Sequence, residues 1–192
     1  MASLKLPVVV YDACVLYPFH LRNVLVQCAV DRLVDARWTD DIHDEWIRNL
    51  LERKPGLTRD RLERTRNLMK AQLPEADVTG YHHLIQSLEL KDPDDRHVLA
   101  AAIHTNADTI LSADRGFTNT VLAPHGLTVQ RPNGFLMSLL NANLDLMLDS
   151  LARARQNLRK STPTPEEFVA GLRACQRLDE FCTAISAHLD RL

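Results

Sequence analysis

The sequence predicts an α/β fold built on a short, mostly parallel sheet and followed by an all-helical carboxy-terminal extension. Three observations predict it. Short apolar runs alternate with helical patterns from residue 7 to about residue 130, the pattern of parallel strands joined by right-handed crossovers. The stretch from Lys91 to Phe117, KDPDDRHVLAAAIHTNADTILSADRGF, reads as helix, tight turn and strand, with acids before the helix and just past the strand. Past Pro132 the strand-like runs stop and amphipathic helical stripes take over.

Taken in order, Pro7-Val8-Val9-Val10-Tyr11 is a β-branched run ending at Asp12, a buried strand with an acid at its tip. Pro18 permits a helix start, and Leu21, Val24, Leu25, Cys28, Leu33 and Val34 follow at roughly helical spacing. Thr39 or Asp40 is placed to cap a helix from Ile42 to about Arg53. Ile42, Trp46, Ile47 and Leu50 give it an apolar face, Glu45 lies one turn in, and Lys54-Pro55-Gly56 ends it. Thr58 opens the next helix, which Pro74 stops. A helix is expected from Gly80 to Leu88, then the 91–117 stretch, and a last strand at Gly126-Leu127-Thr128-Val129.

The extension carries one stripe of Phe135, Leu136, Leu139 and Leu140 and another of Leu144, Met147, Leu148, Leu151 and Leu158. Thr164, Pro165 and Glu167 make a capping box. The helix behind it is expected to bury Phe168, Leu172, Cys175, Phe181 or Cys182, Ile185 and Leu189. The expected division is residues 1–137 for the α/β domain and 138–192 for the helical extension.

With 192 residues, one domain plus an extension is the expected count. The 45% apolar and 25% charged fractions are those of an ordinary soluble globular protein. No apolar span is long enough for a membrane. The start, MASLKLPVVVYDAC, meets Asp12 too early for a secretion signal. Cys14, Cys28, Cys175 and Cys182 form no Cys-x-x-Cys pair and are expected to be small core residues in a reducing cytoplasm.

The net charge of -2 is unevenly spread. Between Arg48 and Lys70 eight bases stand against three acids, a net +5, while Glu89 to Asp95 leans acidic. Such an arrangement suits a polyanion held beside a metal. The other reading of the arm is a solvated helical face with internal pairs such as Asp60 with Arg64.

Asp12, Glu45, Asp95 and Asp114 are the candidate site. Ligands bind outside the carboxyl ends of strands in open parallel sheets, where Asp12 and Asp114 fall. A hard divalent cation takes such carboxylates and can activate water and steady the leaving oxygen of a phosphodiester. Each acid singly has a structural alternative: Asp12 and Asp95 as caps, Glu45 on a surface helix, Asp114 in a turn. Asp92 and Asp94 are alternatives to Asp95, which fits the spacing to the alanine run better.

Other chemistries lack their signatures. There is no G-x-x-x-x-G-K-[ST] or G-x-G-x-x-G, and His43-Asp44-Glu45-Trp46-Ile47 is not H-E-x-x-H. Asp12 has no second Asp two residues on, as a haloacid-dehalogenase-like phosphatase requires. His82, His83, His97 and His104 are expected to be structural, since one helix pair leaves a zinc site short of ligands. His97, two residues past Asp95, is the exception that could support the site.

Four pieces together resemble a PIN-domain ribonuclease, and within that superfamily the VapC-type toxins of bacterial toxin–antitoxin pairs. They are Val9-Val10-Tyr11-Asp12 with Cys14-Val15-Leu16; Asp41-Ile42-His43-Asp44-Glu45-Trp46; Asp92-Pro93-Asp94-Asp95-Arg96-His97-Val98-Leu99-Ala100-Ala101-Ala102; and Ser112-Ala113-Asp114 with Phe117. They span roughly residues 7 to 137 in the family's order, the third being the most specific. The resemblance implies a PIN-like α/β/α sandwich and Mg²⁺- or Mn²⁺-dependent RNA cleavage to a 5′-phosphate and a 3′-hydroxyl. It places the family's four acids on Asp12, Glu45, Asp95 and Asp114, and its supporting Thr or Ser on Ser112. It further implies a small antitoxin that occludes the acidic groove, and a homodimer. The helical tail resembles extensions of longer VapC-like proteins.

Two functions follow as expectations. In the first, the chain is a ribonuclease whose Arg48, Arg53, Lys54, Arg59 and Arg64 hold the RNA backbone. In the second, it is a catalytically silent PIN-fold module that binds RNA or a partner protein.

Overall fold

The computed structural model describes residues 6–175 and 177–192. The first five residues of the start judged above against a secretion signal lie outside the described residues. The elements run β1 (Val8–Tyr11), α1 (Ala13–Leu16), α2 (Phe19–Val30), β2 (Asp35–Arg37), α3 (Asp40–Arg53), α4 (Arg59–Gln72) and α5 (His82–Ile85). A 3₁₀ turn (Pro93–Asp95), α6 (Arg96–His104), β3 (Thr109–Leu111), α7 (Asn119–Leu122) and β4 (Thr128–Gln130) come next. Helices α8 (Pro132–Ala142), α9 (Leu144–Gln156), α10 (Pro165–Arg173) and α11 (Asp179–Ile185) and a 3₁₀ segment (Ser186–Arg191) follow.

Among the described residues the strands form one parallel sheet in the order β2-β1-β3-β4, the α/β architecture expected from sequence. β1 and β3 are central and wholly buried, which is why β1 is an unbroken apolar run and β3 carries Ile110 and Leu111, with Thr109 the buried polar residue of the pair. The edge strands keep polar residues, Asp35 and Arg37 on β2 and Thr128 and Gln130 on β4. Because every strand points the same way, all carboxyl ends share one edge. The ladder runs one residue past two of them: the Asp12 N–H donates to the Leu111 carbonyl and the Ser112 N–H to the Gln130 carbonyl, each at 3.1 Å. Asp12 and Ser112 therefore leave the sheet side by side.

Packing groups the chain into two compact units. Among the described residues one holds 6–17 and 34–130, the sheet with α1 and α3 to α7; the other holds 18–33, 131–175 and 177–192, α2 with α8 to α11. This grouping differs from a 1–137/138–192 division in where α2 and α8 fall. Helix α2 buries Leu21, Val24, Leu25 and Cys28, and its partner is α9, whose Met147, Leu148 and Leu151 are buried in turn. Polar contacts accompany the stripe: Asn23 Nδ2 donates to the Ala154 carbonyl at 2.7 Å and Ser150 Oγ to Asp31 Oδ2 at 2.6 Å.

Capping follows the sequence. Thr39 accepts from the Ile42 N–H at 3.1 Å and starts α3, Thr58 caps α4, and the Thr164–Glu167 capping box is complete. Three features differ. Strand β2 was not expected, since Asp35-Ala36-Arg37 holds one apolar residue and is a strand only by pairing with β1. The helix expected over Gly80 to Leu88 shortens to α5, because Gly80 sits at φ 81° and Ser87 Oγ bonds the Leu84 carbonyl. The helix expected behind the capping box breaks into α10, α11 and the 3₁₀ segment, with Arg177 at φ 43° between the first two. No described helix is long and apolar enough to cross a membrane.

Candidate active site

Asp12 sits where β1 ends, before the short helix α1, yet its side chain makes no capping bond. The carboxylate is turned into the sheet edge and is 3% exposed. Its Oδ2 accepts from Ser112 Oγ at 2.6 Å and from Cys14 Sγ at 3.0 Å. Burial pushes the Asp12 pKa up, these two hydrogen bonds pull it back, and the charge of Glu45 adds to the rise. Cys14, expected from sequence to be only a core residue, thus belongs to the site. Its thiol also accepts the Ala113 N–H at 3.2 Å, and burial followed by the Asp12 charge pushes its pKa up.

Ser112 is fully buried at the end of β3. While its hydroxyl donates to Asp12, its oxygen accepts the Asp114 N–H at 2.9 Å. Asp114 is held again two residues later, where its Oδ1 accepts the Gly116 N–H at 2.5 Å. Phe117, wholly buried, anchors the end of that loop.

The three neighbouring acids of the 92–95 stretch separate by what they bond. Asp92 caps the 3₁₀ turn by accepting the Asp94 N–H at 2.9 Å. Asp94 is exposed. Asp95 stands at the N-cap of α6 without making a capping bond, so the fold asks nothing of its carboxylate there. Burial and then the charges of Asp12, Asp114, Asp92 and Glu45 push its pKa up to about 7. Gly116 closes the gap between Asp95 and Asp114: a Cβ there would lie 2.9 Å from Asp114 Oδ1 and 3.3 Å from Asp95 Oδ2.

Glu45 comes from α3, which packs on α1 and α6. Its Oε2 lies 3.3 Å from Nε2 of His97, in the first turn of α6. The other histidines stand apart from these acids. His82 meets Asp41 at 3.3 Å and His83 packs edge-on to His104 at 6.2 Å.

The acids are therefore within electrostatic reach of one another, and their donor set is all oxygen. Among the described residues no three Asp, Glu, His or Cys side chains already form a coordination shell; Asp12, Glu45 and Asp114 are engaged by hydrogen bonds. The set fits a hard divalent cation on two counts. Carboxylates are its preferred ligands, and the surplus negative charge that lifts Asp95 is what a cation relieves.

The basic arm divides by pairing. Lys70 bridges Asp40 at 2.7 Å and Asp77 at 2.8 Å, Arg66 meets Asp44 at 3.6 Å, and Arg59 meets Glu63 at 3.5 Å. The Asp60–Arg64 pair expected from sequence does not form. Arg48, Arg53, Lys54, Arg61 and Arg64 are exposed and have no ion pair among the described residues.

A family model described as "PIN domain" matches residues 8–116, more than half of the chain, and that span holds all four acids. No curated protein and no solved structure matches the chain.

Proposed function

The chain belongs to the PIN-domain family, and on that premise we propose that it is a metal-dependent endoribonuclease serving as the VapC-type toxin of a toxin–antitoxin pair. PIN domains are in general nucleases that use divalent metal ions. The observation that carries the proposal is Asp95, whose carboxyl is pushed up to about 7 by burial and by four surrounding acids. A carboxylate so placed gains from a cation and does no capping for the fold.

In this reading Asp12, Glu45, Asp95 and Asp114 hold Mg²⁺ or Mn²⁺, which when bound supplies an activated water and charge for the leaving oxygen. Ser112 favours the ionised form of Asp12 and orients it by donating to Oδ2, and fixes Asp114 through its backbone. Arg48, Arg53, Lys54 and Arg64, with Arg61, hold the phosphates of the RNA. Arg59, half engaged with Glu63, contributes less. Hydrolysis leaves a 5′-phosphate and a 3′-hydroxyl. The partners are a small antitoxin protein that covers the acids and a second copy of this chain, in the cytoplasm.

A second reading, a silent module that binds RNA or protein, is favoured by one observation: the acids do not already stand as a coordination shell. Cleavage of end-labelled total RNA separates the two. Discrete fragments in Mg²⁺ or Mn²⁺ that vanish with chelator and with Asp12→Asn support the nuclease. Intact RNA in every lane, with folded protein free of any co-purified inhibitor, supports the module.

A further inference from the structure

We propose that His97 is the positioning residue for Glu45, its Nε2–H holding the Glu45 carboxylate toward the other acids. This rests on the reading of those acids as a cation site. Glu45 lies within a helix, not at a strand end, and ordering its long side chain costs rotamer freedom. Among the described residues its one polar contact is with His97, at 3.3 Å. The flanking charge works against order, since Glu45 and Asp12 repel.

The ring's chemistry fixes the direction of the bond. A carboxylate accepts, so Nε2 carries the hydrogen. Nδ1 is buried and has no hydrogen-bond partner among the described residues. Among the described residues Nε2 is therefore the ring nitrogen with a partner, and that partner is Glu45. His97 also lies two residues past Asp95, the N-cap of its helix, so a single element sets both acids.

The test is Mn²⁺ binding by the full chain, followed by the electron-spin resonance of free Mn²⁺, with thermal melting to check folding. A glutamine carries its amide nitrogen as many bonds from the backbone as His Nε2; an asparagine matches Nδ1. His97→Ala and His97→Asn are expected to weaken Mn²⁺ binding about 10- to 100-fold, the range for residues that orient metal ligands. His97→Gln is expected to stay within about threefold of wild type, and His97→Ala added to Glu45→Ala to change nothing further. Wild-type affinity in His97→Ala, or a His97→Gln as weak as His97→Ala while still folded, overturns the role. If Asp95→Asn abolishes binding while His97→Ala leaves it unchanged, only this inference fails. No Mn²⁺ binding by the wild-type chain overturns both this inference and the cation site.

Discussion

The Ser112 hydroxyl donates to the Asp12 carboxylate at 2.6 Å, across 100 residues of sequence. Two adjacent parallel strands, β1 and β3, end in register and make that contact. The same oxygen accepts the Asp114 N–H, so one buried hydroxyl ties together two acids of the site.

Ser112→Ala removes a donor from a buried carboxylate and an acceptor from a backbone N–H. The expected loss is about 1–3 kcal/mol of unfolding free energy, read from urea titrations at neutral pH. Most of that loss should disappear in an Asp12→Ala background, where the carboxylate is already gone. Equal losses in both backgrounds would mean that the bond to Asp12 contributes nothing and that the hydroxyl acts through the Asp114 N–H or packing.

Gly116→Ala places a methyl 2.9 Å from Asp114 Oδ1 and 3.3 Å from Asp95 Oδ2. Both are ends of side chains, so the fold yields by moving the acids. RNA cleavage and Mn²⁺ affinity are expected to fall at least about tenfold, with the melting temperature within about 2 °C of wild type. Full activity would place the reacting centre elsewhere.

Asp95 sets a pH dependence for the metal-free protein. Its pKa is about 7 in the fold, against about 3.9 in an unfolded chain. Between these values the native state keeps a proton that the unfolded chain has released. Stability therefore falls as pH rises from about 4 to about 7 and levels off above. Asp95→Asn removes the effect, so in chelator at pH 8 it is expected to melt higher than wild type by about 2–4 °C. Lower melting of that variant at pH 8 would contradict the charge crowding.

The pairing of the bases separates structure from binding. Arg64→Ala is expected to weaken RNA binding and to reduce the slope of log affinity against log salt by roughly 0.7 to 1. Lys70→Ala, which breaks contacts to Asp40 and Asp77, is expected to lower stability and leave that slope alone. An unchanged slope in Arg64→Ala would make the arm a solvated face.

Truncation after residue 137 removes α9, α10 and α11 and leaves α2 without the helix that covers Leu21, Val24, Leu25 and Cys28. The fragment is expected to aggregate or to melt well below the full chain, by scanning calorimetry and light scattering. A monomeric fragment of native stability would show that α2 needs no carboxy-terminal partner.

Much of the local structure was legible. The β-branched run of β1, the threonines that cap α3 and α4, and the capping box of α10 are short-range signals, each decided by a few neighbouring residues. What failed was non-local. Strand β2 has no apolar pattern of its own and exists through its ladder with β1. Helix α2 follows the helical unit because its apolar stripe meets α9, about 120 residues on. Cys14 passed as a core cysteine because its hydrogen bond to Asp12 depends on how α1 leaves the sheet.

The sequence by itself determined the elements that carry each acid: Asp12 after a strand, Asp95 before a helix, Asp114 two residues past a strand and Glu45 within a helix, because local periodicity and breakers set where elements begin and end. Only the tertiary structure decided which of these groups feel one another. Parallel pairing brings Asp12 beside Ser112, Asp92 caps a turn while Asp95 faces the other acids, and Glu45 meets His97. The physical reason is range. Backbone preference acts over a few residues, whereas hydrogen bonds, burial and Coulomb forces act on whatever the fold brings within a few ångströms.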